Sequence, residues 1–498
     1  MVQHLPVIIV VAPLITSFAI FFAGWRYKRV AYPLAVAAMS ICFLSSAGIL
    51  KTVIDKGTIS YWLGGWQPPW GIEYRLDHLN AVMLVLVSAL SLAAAVQAPK
   101  SVARELPEKT TLFWCLFILM ITGLLGICIT GDLFNLFVLL EVASLSGYAL
   151  ISIGEKKAIY SSFRYIIIGT IGASFYLLGV GYLYITTGSL NMSDLSQLLP
   201  GLYHSKAVLA GFIFIVVGLG IKMALFPLHG WLPDAYTYAP SAVSAAVAPL
   251  VTKVMAYVII RMMFTVFGAE YSISVLKVTD VMVWLGIFAI LFGAVMALSQ
   301  NDYKRMMSYV IIAEIGYIVG GIGVANPTAL KGAIFHIVND ALMVACLFSV
   351  AGMVMYKTGG HQIKDFRGLF KTMPLTASIF TVGALAVIGV PPTCGFFSKW
   401  YLLLGGIQAR QWTFVIALLV CTLINVALFF RIFDKGLYVH AQKKIPEETV
   451  TSETPNTGET PLSMLIPAFV LALAILLTGI FNQVIVNKVI AFAVPLGL

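Results

Sequence analysis

The chain has 498 residues, 60% of them hydrophobic and only 10% charged, with a mean hydropathy of +0.96. Soluble globular domains carry about a quarter charged residues, so this composition excludes a water-soluble enzyme or binding module. The formal charge of +10 does not point to nucleic acid. The basic residues cluster in short loops between apolar runs, as the positive-inside rule expects of a membrane protein.

Apolar runs of about 20 residues, the length that spans hydrocarbon, predict an all-α integral membrane protein of fourteen spans. In chain order these are 5–24, 30–50, 78–98, 111–129, 131–153, 162–187, 207–228, 240–265, 278–299, 306–324, 328–356, 373–407, 411–432 and 463–484, called spans 1 to 14 below. Span 12 is interrupted. The first run lacks a basic leader segment and a small-residue cleavage site, so it reads as a retained helix. The loop 51–77 carries Trp62, Trp66 and Trp70 among Gly and Pro, which predicts an interfacial hairpin or short helix on the outer face. The loop 441–462 is polar, contains proline and is expected to be flexible. With the N-terminus outside, the cytoplasmic loops hold 19 Lys and Arg, Lys304 and Arg305 among them, and the opposite loops nine. Both termini are therefore expected to face outward, in a prokaryotic inner membrane.

A few charges lie inside the apolar runs, where each costs about 2.5–3.5 kcal/mol on insertion scales. They are Glu141 in span 5, Lys222 in span 7, Lys253 in span 8 and Lys399 in span 12. Residues 220–228 (GIKMALFPL) place Lys222 about one turn before Pro227, which removes a backbone donor and breaks the helix. Residues 389–399 (GVPPTCGFFSK) repeat the arrangement with Pro391, Pro392 and Lys399. Lysine at such a break can hold or release a proton, because burial disfavours its charge and a nearby carboxylate favours it. It can equally serve as a fixed charge on the freed carbonyls.

Paired broken helices of opposite direction mark an inverted repeat with ion sites at the breaks, here spans 4–8 (111–265) and 9–13 (277–433). They are flanked by an N-terminal region (1–110), a cytoplasmic loop (434–462) and a C-terminal helix (463–498). The repeat makes Glu314 in span 10 the counterpart of Glu141. His336, Asn339 and Asp340 in span 11 stand at i, i+3 and i+4 and so share one face, directed at the bundle interior. His336 can titrate near neutral pH or be a hydrogen-bonded core residue. His229 follows the first break, with Trp231 and Asp234, and is a candidate proton carrier at the uptake side. The six cysteines lie in or near spans without metal or disulfide spacing. No nucleotide, haem, iron–sulfur or other metal-binding pattern occurs, so no cofactor is expected. Any chemical energy must come from a partner or an ion gradient.

These segments resemble the antiporter-like family: the large membrane subunits of respiratory complex I, of energy-converting hydrogenases and of Mrp cation/proton antiporters. GDLFNLFV at 131–138 leading to Glu141, WQPP at 66–69 and GSLNMSDL at 188–195 are similar to the D-type subunit of Mrp antiporters. FPLHGWLPDA at 226–235, DYKR at 302–305 and GFFSK at 395–399 are similar to the wider family. The resemblance covers nearly the whole chain. It implies that Glu141 and Lys222 match the family's Glu–Lys pair, Lys253 its central relay lysine and Lys399 its terminal lysine. It also implies the fourteen-span fold with repeats of spans 4–8 and 9–13. Two positions depart from the pattern. Relatives often carry His and Lys where span 11 has Asn339, Asp340 and Val344, and commonly Gln or His where Glu314 stands. The altered centre makes His336 the candidate replacement, and it fits a redox-linked complex better than a stand-alone Mrp antiporter.

The expectation is a proton- or sodium/proton-translocating subunit working with other membrane subunits. It would be either the D-type subunit of an Mrp antiporter or the pumping subunit of a complex I- or hydrogenase-like machine, without catalysis by this chain alone. The relay would comprise Glu141, Lys222, Lys253, Lys399, His336, Glu314, His229 and Asp340. The alternative is a non-conducting scaffold subunit whose relay is broken at span 11.

Overall fold

The computed structural model describes residues 4–437 and 458–494; most of the loop 441–462 lies outside the described residues. Among those described, thirteen helical segments are long and apolar enough to cross a membrane. Span 12 is instead two 15-residue half-helices, Pro374–Ile388 and Cys394–Gln408. The protein is an all-α integral membrane fold. Several helices outrun their hydrocarbon-length predictions: span 2 covers Ala31–Lys56, span 3 His78–Glu105 and span 6 Lys156–Thr187. The loop before span 3 is a two-stranded antiparallel hairpin, β1 (Ile59–Trp62) and β2 (Glu73–Leu76), with Ile59 opposite Leu76. Trp66 and Trp70 at its tip are exposed, as interfacial tryptophans are.

The two halves of the bundle match in backbone detail. Span 5 (Leu133–Ser152) is capped by the Asp132 carboxylate on Asn135 N–H, and span 10 (Tyr303–Val324) by Asp302 on Arg305 N–H. Each cap satisfies a helix donor that has no partner within the helix. Spans 6 and 11 (Pro327–Thr358) are both 32 residues long and both end on a left-handed glycine, Gly188 and Gly359.

The strand-like pairing beyond these ends is the same in both halves. Leu133 N–H donates to the Leu190 carbonyl and Met192 N–H to that of Gly131, at 2.9 and 2.8 Å. Tyr303 N–H donates to the His361 carbonyl and Ile363 N–H to that of Asn301, both at 2.9 Å. Spans 4 and 9 meet spans 5 and 10 through Gly123 and Gly293. A Cβ would lie 2.6 Å from the Ala143 nitrogen at the first and 2.7 Å from the Ala313 nitrogen at the second. Small residues of this kind let membrane helices approach closely. Counted from the two caps, these details pair Glu314 of span 10 with Ser144 of span 5, and not with Glu141 as the sequence suggested, because Glu141 stands about one turn nearer its cap.

The helix breaks have local causes. Span 7 stops at Met223 because Ala224 adopts left-handed φ/ψ of 60° and 41°, and Pro227 cannot donate. The freed carbonyls find partners: Trp231 Nε1–H donates to Ile221 at 3.0 Å and Lys304 Nζ to Ala239 at 2.5 Å. Lys304 is buried. It is a cap for broken backbone rather than the solvated loop charge that sequence suggested. Span 12 stops at Gly389, φ 91°. The Lys399 ammonium there donates to the Val387 carbonyl, and Asn339 Nδ2 donates to Cys394 at 2.8 Å.

A third interruption goes beyond the two expected. Span 8 runs Ser241–Val247, turns at 248–250 around Pro249 and resumes as Val251–Ile260 and a π-helix, Arg261–Val266. Arg261 makes a two-pronged pair with Asp77 at 2.6 and 2.8 Å, anchoring span 8 to the start of span 3. Burial would raise the Asp77 carboxyl, but Arg261 and the capped backbone hold it below the usual carboxylate value. Spans 8, 10 and 11 form the buried centre, with spans 1, 2 and 6 outside them.

Candidate functional site

The membrane-embedded charges gather into three groups. In the first, Lys222 Nζ at the span 7 break lies 3.5 Å from Glu141 Oε1 of span 5. It also donates to Ser144 Oγ at 2.8 Å and to the Tyr148 hydroxyl at 3.2 Å. Glu141, Ser144 and Tyr148 follow one helix stripe at i, i+3 and i+7, so span 5 supplies every acceptor. Lys222 is buried, but Glu141 remains 25% exposed, and Phe134, Val138 and Leu145 beside it are exposed. Glu141 thus reaches inward from the edge of the bundle. A small cavity joins Lys222 and Ser144 to Val247 and Val251 of span 8.

The second group links the halves. Lys253 Nζ of span 8 lies 2.9 Å from Asp340 Oδ2 of span 11, both fully buried. The approach is off the line of a good hydrogen bond, and neither end has another hydrogen-bond partner among the described residues. Opposite charges at this distance in such a setting form an ion pair whatever the angle. Burying an ion is costly unless its partner is close, and each side supplies the other's nearest compensation.

The third group belongs to the second half. Glu314 of span 10 accepts from His336 of span 11 at 2.7 Å and lies 3.8 Å from Lys399 Nζ. The other ring nitrogen of His336 meets Ser398 Oγ at 2.9 Å. The Lys399 ammonium stands over the Tyr317 ring at 4.9 Å. Glu314, His336 and Ser398 are fully buried. His336 and Asp340 are i, i+4 neighbours, about 6 Å apart by helix geometry, so span 11 carries the second group into the third.

Seven of the eight candidate residues therefore fall into these three groups. His229 does not. Its ring packs on Phe226 and Phe292, and its Nδ1 has no hydrogen-bond partner among the described residues. Pro227, Pro391 and Pro392 lie at the interruptions as expected. Asp234 pairs instead with Arg164 at 2.7 Å and Arg305 at 3.3 Å, bridging spans 6 and 10. Sequence reasoning missed Ser144, Tyr148, Ser398 and the Asp77–Arg261 pair. The first three were within reach, since they share a helix face or a neighbour with a singled-out charge. The last joins residues 184 positions apart, and no local pattern announces it.

A family described as NADH:quinone oxidoreductase/Mrp antiporter, TM matches residues 130–425. The chain is 43% identical to NADH-quinone oxidoreductase subunit N of Desulforudis audaxviator, over 99% of both chains. It is 32% identical to the D-type subunit of the Na(+)/H(+) antiporter of Alkalihalophilus pseudofirmus, over 86% of each. Among solved structures, a chain of the membrane-bound sulfane sulfur reductase, an archaeal respiratory membrane complex, superimposes with a TM-score of 0.88. That match has 27% identity and covers 98% of this chain and 96% of the other.

Proposed function

The chain belongs to the NADH:quinone oxidoreductase/Mrp antiporter transmembrane family, and from that premise we propose that it carries protons through the three buried groups in series. It is an antiporter-like membrane subunit that works with other membrane subunits. Glu141 and Lys222 form the loading pair, which a neighbouring subunit opens at the exposed edge of span 5. The proton released from Lys222 moves to Lys253 and Asp340, then along span 11 to His336 and Glu314, and leaves by Lys399. The observation that carries this reading is the alternation of acid and base across both halves, each pair joining different helices. Isolated charges in hydrocarbon are costly and tend to mark ion pathways.

The same reading takes residues 111–265 and 277–433 as the two repeats. It takes both termini as facing outward from a prokaryotic inner membrane, on the loop-charge count. Substituting Ala for Lys222 or Glu141 abolishes coupled proton transport and leaves the complex assembled. Normal transport with either variant overturns the proposal.

Sodium/proton exchange is a second reading, favoured by the 32% identity to a D-type antiporter chain. Hard cations want several converging oxygens, and each of the three groups pairs its carboxylate with a base instead. Sodium-dependent proton flux in vesicles without a redox donor would establish it. Co-purification separates the possible assemblies. Iron–sulfur or nickel-binding subunits would mark a redox machine, and membrane subunits alone an antiporter.

A further inference from the structure

His336 has both ring nitrogens occupied in a fully buried site, which sets a demand that one residue meets. Its Nε2 faces Glu314 Oε2 at 2.7 Å and its Nδ1 faces Ser398 Oγ at 2.9 Å. Ser398 has a second partner in its own helical turn, the Gly395 carbonyl at 3.3 Å. A hydroxyl both donates and accepts, whereas each imidazole nitrogen is donor or acceptor according to where the proton sits. With His336 neutral and its proton on Nε2, that N–H donates to the Glu314 carboxylate and the Ser398 hydroxyl donates to Nδ1. When the Asp340 carboxyl gives up its proton and that proton arrives on Nδ1, the new N–H donates to Ser398 Oγ and the serine proton turns to the Gly395 carbonyl. When the Nε2 proton passes to Glu314, the ring is left neutral with its proton on Nδ1, and Ser398 keeps its second orientation. Each state is fully bonded, and one proton enters for each that leaves. A shift of the ring back to the Nε2–H tautomer, with the Ser398 hydroxyl turned to Nδ1 again, readies it for the next.

We propose that Ser398 is a positioning residue whose hydroxyl, turning between His336 and Gly395, makes His336 a reversible proton carrier. The inference rests on the series pathway proposed above and adds a residue and a motion to it. Groups facing His336 come from each packed element: Glu314 and Tyr317 from span 10, Lys399 from span 12, Asp340 from span 11 itself and Lys253 from span 8 beyond Asp340. None of these other than Glu314 hydrogen-bonds the His336 ring, so without Ser398 the Nδ1 side has no partner among the described residues. A buried polar atom left unpaired is costly, and a charged donor more so. The imidazolium therefore suffers most when the hydroxyl is lost.

The experiment compares Ser398→Ala, Ser398→Thr and Lys222→Ala in membrane vesicles holding the complete complex, with proton flux followed from about pH 5.5 to 8.5, a range that brackets the ordinary histidine value. Ser398→Ala is expected to slow transport about tenfold, the order that an unpaired buried group implies, and to move the half-maximal point to lower pH. Ser398→Thr keeps the hydroxyl and restores both. Should Ser398→Ala fail to assemble, Ser398→Cys takes its place, its weak S–H donor giving a flux between zero and wild type. Wild-type flux and pH profile in Ser398→Ala or Ser398→Cys overturn the inference when Lys222→Ala is inactive. A Thr variant that assembles yet transports as slowly as Ala overturns it too. If Lys222→Ala also transports normally, it is the series pathway that has failed.

Discussion

The Glu141–Lys222 group and the Glu314–His336–Lys399 group each stand beside a broken helix, yet they are built differently. Counted from the caps at Asp132 and Asp302, Glu314 matches Ser144, and Glu141 stands about one turn earlier. In the first, the carboxylate is 25% exposed at the bundle edge and meets its lysine at 3.5 Å, with Ser144 and Tyr148 as further acceptors. In the second, Glu314 is sealed, lies 3.8 Å from its lysine and binds a histidine that the first group lacks. An exposed carboxylate can be addressed from outside the chain, whereas a sealed one exchanges protons only with its fixed neighbours. The first group suits loading by an adjacent subunit and the second suits storage and release. Between them, Lys253 and Asp340 form a junction with no other hydrogen bond among the described residues.

That junction gives the largest expected effect. Asp340→Asn leaves the Lys253 ammonium buried without a counter-charge, a loss of about 3–5 kcal/mol. The yield and thermal midpoint of the purified complex should fall sharply. A Lys253→Met, Asp340→Leu double variant should recover stability while transport stays absent. Recovered transport would show that the junction is structural packing rather than a conductor.

Matched carboxamide variants sharpen the comparison of the halves. Glu314→Gln and Glu141→Gln should both stop transport, but Glu314→Gln should destabilise the complex more, by about 1–3 kcal/mol, because Lys222 still has Ser144 and Tyr148 as acceptors when Glu141 is neutral. Equal thermal shifts would erase the distinction between an exposed and a sealed group. Gly293→Ala pushes a Cβ against span 10 backbone at 2.7 Å and should cost about 1–3 kcal/mol by overpacking. Its counterpart Gly123→Ala should behave alike if the halves pack equivalently, which a pair of melting curves decides. The smallest effect belongs to Asp234→Asn. Its pairs with Arg164 and Arg305 are partly exposed, and such pairs contribute about 0–1 kcal/mol. Transport there should stay near wild type.

The contrast between local and distant information explains what the sequence revealed. Hydropathy located every crossing, and proline within an apolar run located the breaks beside Lys222 and Lys399. Helical spacing placed His336, Asn339 and Asp340 on one inward face, and all three are buried. Partner choice was legible for Glu141 and Lys222 through the family resemblance alone, and not for Lys253. Lys253 needed a carboxylate, but nothing within a span says that the distant Asp340 rather than Glu314 supplies it. Lys304 reads as a loop charge because its neighbours Asp302 and Arg305 are polar, yet the broken backbone ending at Ala239 draws it inside. Pro249 was visible, but the turn at 248–250, closed by Leu250 N–H on the Val247 carbonyl at 3.2 Å, was not.

The central claim is that the three groups conduct in series, and it is tested most directly by proton flux in vesicles of the assembled complex. Lys222→Ala, Lys253→Met and Lys399→Ala would be measured side by side with the triple variant. A series path predicts the same complete loss in each single variant and no further loss in the triple. Full flux in Lys253→Met or Lys399→Ala, with Lys222→Ala inactive, would contradict it and place the exit within the first half.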